Sequence, residues 1–124
     1  MTMIKAYKLF TAEDGHSYVQ EGSVSEDFLA SAVSVRFKET PPHSVYDWHP
    51  APDFQYVLTF TGTLEFTTFL GETFLLQPGE VLIAMDTTGS GHKWRMVGDQ
   101  PWKRAYVAFR PDEDVNFVPA STAE

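Results

Sequence analysis

The sequence has no cysteine, few basic side chains and no long hydrophobic run. Because cysteine is absent, disulfide bonds, Cys-ligated zinc, iron–sulfur clusters and a thiol nucleophile are all excluded. The 9 Lys and Arg residues are outnumbered by 17 Asp and Glu residues, which gives a net charge of -8 at pH 7. Such an acidic chain repels nucleic-acid backbones and anionic lipids, so we expect neither as a partner.

The chain also lacks the segments that direct proteins into or across membranes. No apolar run approaches the roughly 20 residues that a membrane-spanning helix needs. Residues Met1–Phe10 include Lys5 and Lys8, and they do not resemble a signal peptide. We therefore expect a cytoplasmic protein, which the absence of cysteine also suits.

The sequence is rich in apolar residues that alternate with polar ones. Hydrophobic residues make up 43% of the chain and aromatic residues 15%, enough for one sizeable core. No stretch shows helical spacing over a convincing length, so the pattern predicts an all-β sandwich or barrel. The predicted strands are Ile4–Phe10, Ser17–Gln20, Ala32–Lys38, Gln55–Phe60, Thr63–Phe69, Thr73–Gln77, Val81–Met85, His92–Val97 and Trp102–Phe109.

Glycine and proline mark the turns between these strands. Gly62 and Gly71 lie between predicted strands as in tight hairpins, and Pro78-Gly79 favours a turn. With neither a linker nor an internal repeat, the sequence predicts one domain over residues 1–124. Within it we expect an N-terminal strand region over about 1–20, a barrel over about 30–110 and a frayed tail at 119–124.

Two segments depart from this pattern of strands and tight turns. Pro41–Phe54 holds two of the four histidines and four of the eight prolines, and 86–92 is the loop DTTGSGH. Each segment adjoins a predicted strand and ends near a polar side chain that can point inward. Imidazole groups suit ligand or metal binding, so these two segments are where we expect a functional site.

The first of these segments resembles a motif of the cupin family. In that family a glycine is followed by two histidines one residue apart, a glutamate and a closing glycine. His49 falls on the first histidine, Gln55 on the glutamate and Gly62 on the closing glycine, with the family's spacing and no gap. The sequence departs from the motif at His43, which replaces the opening glycine, and at Ala51, which replaces the second histidine.

The second segment resembles the second cupin motif. Gly79 falls on its opening glycine, and Gly89 and His92 reproduce its glycine-histidine step. Thr87 replaces a proline in a loop with two extra residues, and Met96 replaces an asparagine. The sequence is therefore similar to small single-domain cupins, with degenerate motifs.

The resemblance covers about residues 33–109 and implies both a fold and a site. The fold would be a single cupin-like antiparallel β-barrel, a jelly roll or double-stranded β-helix. His49, Gln55 and His92 would bind one divalent transition metal (Fe, Mn, Ni or Zn), although a site without metal is also open. The resemblance further implies a homodimer and a small-molecule ligand.

Alternatives are open for the residues around the first motif. A shift of two residues makes Asp47 and His49 the paired ligands instead. In an enzyme, His43 or Asp47 would be the candidate catalytic residue that moves protons. His16 lies in an Asp-Gly-His turn, where we expect a structural role.

Several other side chains have expected positions. Trp94 and Tyr56 are expected to line the ligand pocket. We expect Asp86 to hold its own loop by an Asx-type bond, and the alternative is that it orients His92. A solvated basic face is expected at Lys93, Arg95, Lys103 and Arg104.

Two kinds of function follow from the resemblance. One is a metal-dependent enzyme of isomerase, lyase or dioxygenase type that acts on a small oxygen-rich substrate. The other is a non-catalytic module that binds a small molecule without metal, which the neutral Gln55 and the missing ligand at Ala51 favour.

Overall fold

The computed structural model describes residues 3–120, and within that range the regular structure is entirely β-strand. The all-β prediction is therefore confirmed. The strands are β1 (Ile4–Thr11), β2 (Ser17–Val24), β3 (Ser34–Thr40), β4 (Val45–His49), β5 (Gln55–Thr61), β6 (Thr63–Thr68), β7 (Thr73–Leu76), β8 (Val81–Met85), β9 (His92–Val97), β10 (Trp102–Ala108) and β11 (Phe117–Pro119).

The strands form two sheets rather than one closed barrel. Seven strands pair in the order β11-β2-β1-β8-β5-β10-β3, and four pair in the order β4-β9-β6-β7. Neighbours are antiparallel except for β1 and β8, which are parallel. A parallel pair needs a long connection, and residues 12–80 supply it here.

The two sheets bury a shared apolar core. Because side chains alternate between the faces of a strand, one set of positions on each sheet faces the other sheet. The main core cluster accordingly draws on both sheets, and it comprises Tyr7, Leu9, Val57, Leu64, Phe66, Phe74, Leu76, Leu82, Met96 and Trp102.

The outer face of the seven-stranded sheet is also partly covered. A second cluster of buried residues is formed there by Ile83, Phe109 and Val115, with Phe54 and Tyr56 packed against it. Sheets covered on both faces have strands that are apolar at nearly every position. Alternation alone therefore does not tell which face of such a strand points to the interior between the sheets.

The face that edge strand β3 turns toward the space between the sheets is the opposite of the one its apolar residues occupy. In the predicted strand Ala32–Lys38 the apolar residues Val35 and Phe37 alternate with polar ones, which favours burial, but Phe37 is 74% exposed and Val35 is also exposed. Arg36 and Lys38, on the opposite side of the strand, line the space between the sheets instead. The strand was predicted correctly, and its buried face was not.

The C-terminal tail predicted from the sequence is only partly described by the structure. The tail predicted at 119–124 lies outside the described residues from 121 onwards, while Pro119 ends β11 and pairs with Gly22. Within residues 3–120, no helix has the length and apolar character needed to cross a bilayer.

Candidate functional site

A cavity of about 490 Å³ lies between the two sheets, beside the edge strands β3 and β4. The predicted residues His49, Gln55, His92 and Trp94 all line it. Its wall also carries Tyr46, Phe66, Trp102 and Tyr106, as well as the basic residues Arg36, Lys38 and Arg104. The cavity therefore combines a polar site with enough apolar surface to hold an organic molecule.

His92 is fixed in orientation by a buried carboxylate. Its Nδ1 lies 2.7 Å from Oδ2 of Asp86, and the Ser17 hydroxyl donates to the same oxygen at 2.6 Å. All three side chains are buried. A carboxylate only accepts hydrogen bonds, so Nδ1 of His92 carries the proton and the Nε2 lone pair is free when the ring is neutral.

Asp86 therefore orients His92, which was the alternative to its expected loop-holding role. Its second oxygen, Oδ1, is buried and has no hydrogen-bond partner within residues 3–120. The backbone of Asp86 also fixes the first segment, because its carbonyl accepts a hydrogen bond from the amide of Ala51 at 2.9 Å. One residue thus ties the DTTGSGH loop to the histidine and to the segment that carries His49.

His49 presents its ring in a similar way. Its Nδ1 lies 2.7 Å from the carbonyl oxygen of Asp47, so Nδ1 donates and Nε2 is free. The centroids of the His49 and His92 rings are 4.6 Å apart. Burial, opposed in part by the Asp47 hydrogen bond, lowers the pKa of His49 from its ordinary value, so the ring is neutral at pH 7.

A glycine allows the two histidines to come together. Gly91 has a φ of 74°, and a Cβ at this position would overlap the carbonyl oxygen of His49. A side chain there would therefore push the loop away from β4 as well as strain the backbone. Gly91 places His92 directly beside His49 by letting the two backbones touch.

An irregularity in β4 decides which of its side chains reach the cavity. Tyr46 pairs with Trp94 and His49 with His92. Between these pairs β4 has two residues, Asp47 and Trp48, whereas β9 has one. Such a bulge changes the direction of the side chains that follow it. As a result Tyr46 and His49 both line the cavity although they are three residues apart.

The two candidate catalytic residues lie outside this cavity. Asp47 is exposed, and its Oδ1 accepts a hydrogen bond from the amide of Trp48 at 2.8 Å. The alternative pairing of Asp47 and His49 as ligands is therefore not formed. The side chain of His43 is 69% exposed, and its Nε2 lies 3.2 Å from Asp99.

Gln55 and Tyr56 are neighbours in β5 but face opposite ways. Gln55 is buried and lines the cavity, between Ala84 and Ala108 on the adjacent strands. Tyr56 was expected in the pocket, but it packs on the outer face with its ring 4.9 Å from that of Phe109. Successive side chains of a strand point to opposite faces, so Gln55 and Tyr56 cannot both line one cavity.

The basic side of the site was not predicted from the sequence. Arg104 was expected on a solvated face, but it is only 3% exposed and lines the cavity. It alternates along β10 with outward-facing positions, together with Trp102 and Tyr106. Arg104 and these two aromatic residues occupy every second position of one strand, so the sequence pattern places all three on the same face.

The site residues fit a metal ion only in part. The free Nε2 atoms of His49 and His92 are the donors that first-row metals favour, and Gln55 can add a neutral amide oxygen. Within the described range, however, no group of three or more His, Cys, Asp or Glu side chains is placed to hold an ion. Oδ2 of Asp86 already accepts hydrogen bonds from His92 and Ser17.

A comparison with protein-family models gives no match, and a search of curated proteins gives no significant one. The function is therefore inferred from the geometry of this cavity. Its chemical content is two histidines whose Nδ1 atoms are both bonded to oxygen, a buried amide, basic side chains and aromatic rings.

Proposed function

We propose that this chain is a cupin-like protein that binds a small polar organic molecule in the cavity between its sheets. The observation that carries the proposal is the pair of histidines, His49 and His92, whose Nδ1 atoms are both bonded to oxygen. Their Nε2 atoms are left to accept hydrogen bonds from a ligand. The cavity volume of about 490 Å³ is in the range of small-molecule sites.

The cupin-like jelly roll is supported by the way the motif residues converge. His49, Gln55 and His92 come from three strands in two sheets, yet they line one cavity. Two facing antiparallel sheets are also the architecture of a jelly roll. The parallel pairing of β1 and β8 is an addition to that plan.

A thermal-shift screen with small hydroxy acids, sugars and amides tests the binding proposal. Compounds that bind should raise the melting temperature of the wild type and should lose this effect in His49→Ala. His43→Ala is the matched control, because His43 is exposed and lies outside the cavity. Equal loss of binding in both variants, or binding unaffected by His49→Ala, would contradict the proposal.

A second candidate function is a metal-dependent enzyme of isomerase, lyase or dioxygenase type. The free Nε2 atoms of His49 and His92 favour it, with Gln55 as the third donor. A bound Fe, Mn, Ni or Zn ion would polarise a substrate oxygen as a Lewis acid.

Metal content separates the two candidates. Protein purified without a His-tag or chelator should carry near one equivalent of a transition metal if the enzyme reading holds, and His49→Gln should lose it. The matched control is His16→Gln, since His16 lies outside the cavity and bonds Ser90. If the protein is metal-free and also fails to take up added Fe, Mn, Ni or Zn, the metal-dependent enzyme is excluded and the non-catalytic binding module is favoured.

The homodimer stays a prediction, and we place its contact on the outer face of β3. Val35, Phe37 and Phe60 are exposed there, and β3 is an edge strand with unpaired main-chain groups within the described part of the chain. A second copy would cover both features. Light scattering should give the dimer mass for the wild type and the monomer mass for Phe37→Asp, and a monomeric wild type would contradict the prediction.

A further inference from the structure

We infer that the ligand of this cavity is an organic carboxylate whose negative charge is received by Arg104. The inference rests on the proposed binding function and goes beyond it by naming the chemical class of the ligand. It starts from the charge of the cavity wall and from an arginine that is buried without a carboxylate partner.

The charges on the cavity wall are all of one sign. Arg36, Lys38 and Arg104 line it, and none of the Asp and Glu side chains of residues 3–120 does. The chain as a whole carries a net charge of -8, so the charge of this wall is opposite in sign to that of the whole chain. A concave site with one sign of charge attracts and concentrates ligands of the opposite sign.

Arg104 is the buried member of this group, and its protein partners are neutral. Its Nε donates to the hydroxyl of Tyr106 at 2.9 Å, and its Nη1 donates to Thr40 at 2.7 Å and to the Trp102 carbonyl at 3.0 Å. The guanidinium also stacks 3.6 Å from the centroid of the Trp102 ring. Within residues 3–120, no carboxylate lies within ion-pair distance of it, and Nη2 has no protein acceptor.

These neutral partners orient the guanidinium but do not balance its charge. Burying a cation without a counter-ion is unfavourable, and burial lowers the pKa of Arg104. An anionic ligand would offset the unfavourable term, and a carboxylate is the anion whose two oxygens match the planar guanidinium. Arg36 and Lys38 are exposed at the side of the cavity and can admit the ligand.

The rest of the cavity defines the body of the ligand. In the sheet register Arg104 lies beside Thr59, and Gln55 lies four residues along the same strand, about 13 Å away at roughly 3.3 Å per residue. Tyr106 and Phe66 also line the cavity. The free Nε2 atoms of the histidines accept hydrogen bonds, so the far end of the ligand is a donor such as a hydroxyl.

The inferred class is therefore a hydroxy-carboxylate with an apolar or aromatic body. Matched acids and amides isolate the charge, because the two compounds of a pair share shape and hydroxyl group. We would titrate the wild type calorimetrically with 4-hydroxyphenylacetate and 4-hydroxyphenylacetamide, and with further hydroxy acids and their amides. The acids should bind at least about tenfold more tightly than their amides, as expected for a charge-assisted hydrogen bond.

Variants then assign the charge to its residue. Arg104→Gln should weaken acid binding about ten- to a hundredfold and leave amide binding unchanged, whereas Lys103→Gln should change neither. Lys103 is the matched control, since it is the exposed neighbour of Arg104 and lies outside the cavity. Arg104→Lys should recover part of the acid binding. If Arg104→Gln does not fold, Arg36→Gln, at an exposed position, should still selectively weaken the acids.

The outcomes separate this inference from the binding proposal. If amides bind as tightly as their acids, or if the variants affect both equally, the carboxylate inference is overturned while the binding function stands. If no acid or amide binds but a sugar does, the carboxylate inference is overturned while the binding function stands, and if no compound of either panel binds, both fail. Selective loss of the acids in Arg104→Gln, with Lys103→Gln unchanged, supports both.

Discussion

The two ends of the cavity are built in different ways. At the histidine end, His92 and Asp86 are buried, and hydrogen bonds within the chain join Nδ1 of His92 and the Ser17 hydroxyl to Oδ2 of Asp86. At the arginine end, Arg36 and Lys38 project from an exposed edge strand, and Arg104 is oriented by neutral groups only. The hydrogen bonds of the histidine end therefore contribute to the stability of the fold. The charge of the arginine end has no counter-ion within the described residues and is available to a ligand.

The largest effect on stability should come from Asp86→Ala. This substitution removes the acceptor for His92 and Ser17 and leaves both polar groups buried and unpaired. We expect the free energy of unfolding to fall by about 3 kcal/mol. Chemical denaturation measures it, with Asp112→Ala on the exposed surface as the control. Equal stability of the two variants would show that the network does not anchor the histidine end.

A glycine substitution should have the next largest effect. Gly91→Ala adds a Cβ that overlaps the carbonyl oxygen of His49. Gly79→Ala is the matched control, because Gly79 also has a positive φ but its Cβ would meet nothing within 4 Å. We expect about 1 kcal/mol for the control and about 2 kcal/mol or more for Gly91→Ala. Equal losses would mean that the close approach to His49 contributes nothing.

Acid should weaken the histidine end. Burial lowers the pKa of His49 below the ordinary 6.5, so the folded protein binds its proton less readily than the unfolded chain. The stabilisation is fully present above pH 6.5 and is lost as the pH falls through the folded-state pKa. In metal-free protein, the urea midpoint should fall over this range in the wild type and fall less in His49→Gln. A parallel decline in both would exclude His49 as the cause.

The exposed edge of the arginine end should be the least sensitive to substitution. Arg36 is exposed, and its contact within the chain is with the Tyr106 ring, 4.7 Å from the guanidinium carbon to the ring centroid. Arg36→Gln should therefore change the free energy of unfolding by less than about 0.5 kcal/mol. A loss comparable to that of Asp86→Ala would remove the distinction between the two ends. The measurement is the same denaturation experiment without ligand.

The sequence was informative about the histidine end and misleading about the arginine end, for one physical reason. His49, Gln55 and Gly62 lie close together in the sequence, so the number of residues between them largely determines their relative positions. Which face of a strand points into the cavity is not a local property, since the outer face of the seven-stranded sheet is also partly covered by apolar residues. Tyr56 and Arg104 were therefore both assigned to the opposite side from the one they occupy.

Two further features lay beyond the sequence. The bulge in β4 separates Asp47 from His49, and no residue pattern marks its position. The division into two sheets depends on which distant strands pair, as with β1 and β8 across residues 12–80. Alternation over a few residues predicted nine of the eleven strands in the described part of the chain, whereas β4 and β11 were not predicted.

The most direct test of the central claim uses the chain's three tryptophans as reporters in a proton–nitrogen correlation spectrum. Trp94 and Trp102 line the cavity, whereas Trp48 lies outside it and packs against Phe69. We predict that adding 4-hydroxyphenylacetate shifts the indole signals of Trp94 and Trp102 and leaves that of Trp48 in place. If no acid or amide of the panel moves the Trp94 signal, or if Trp48 moves equally, the cavity is not the binding site.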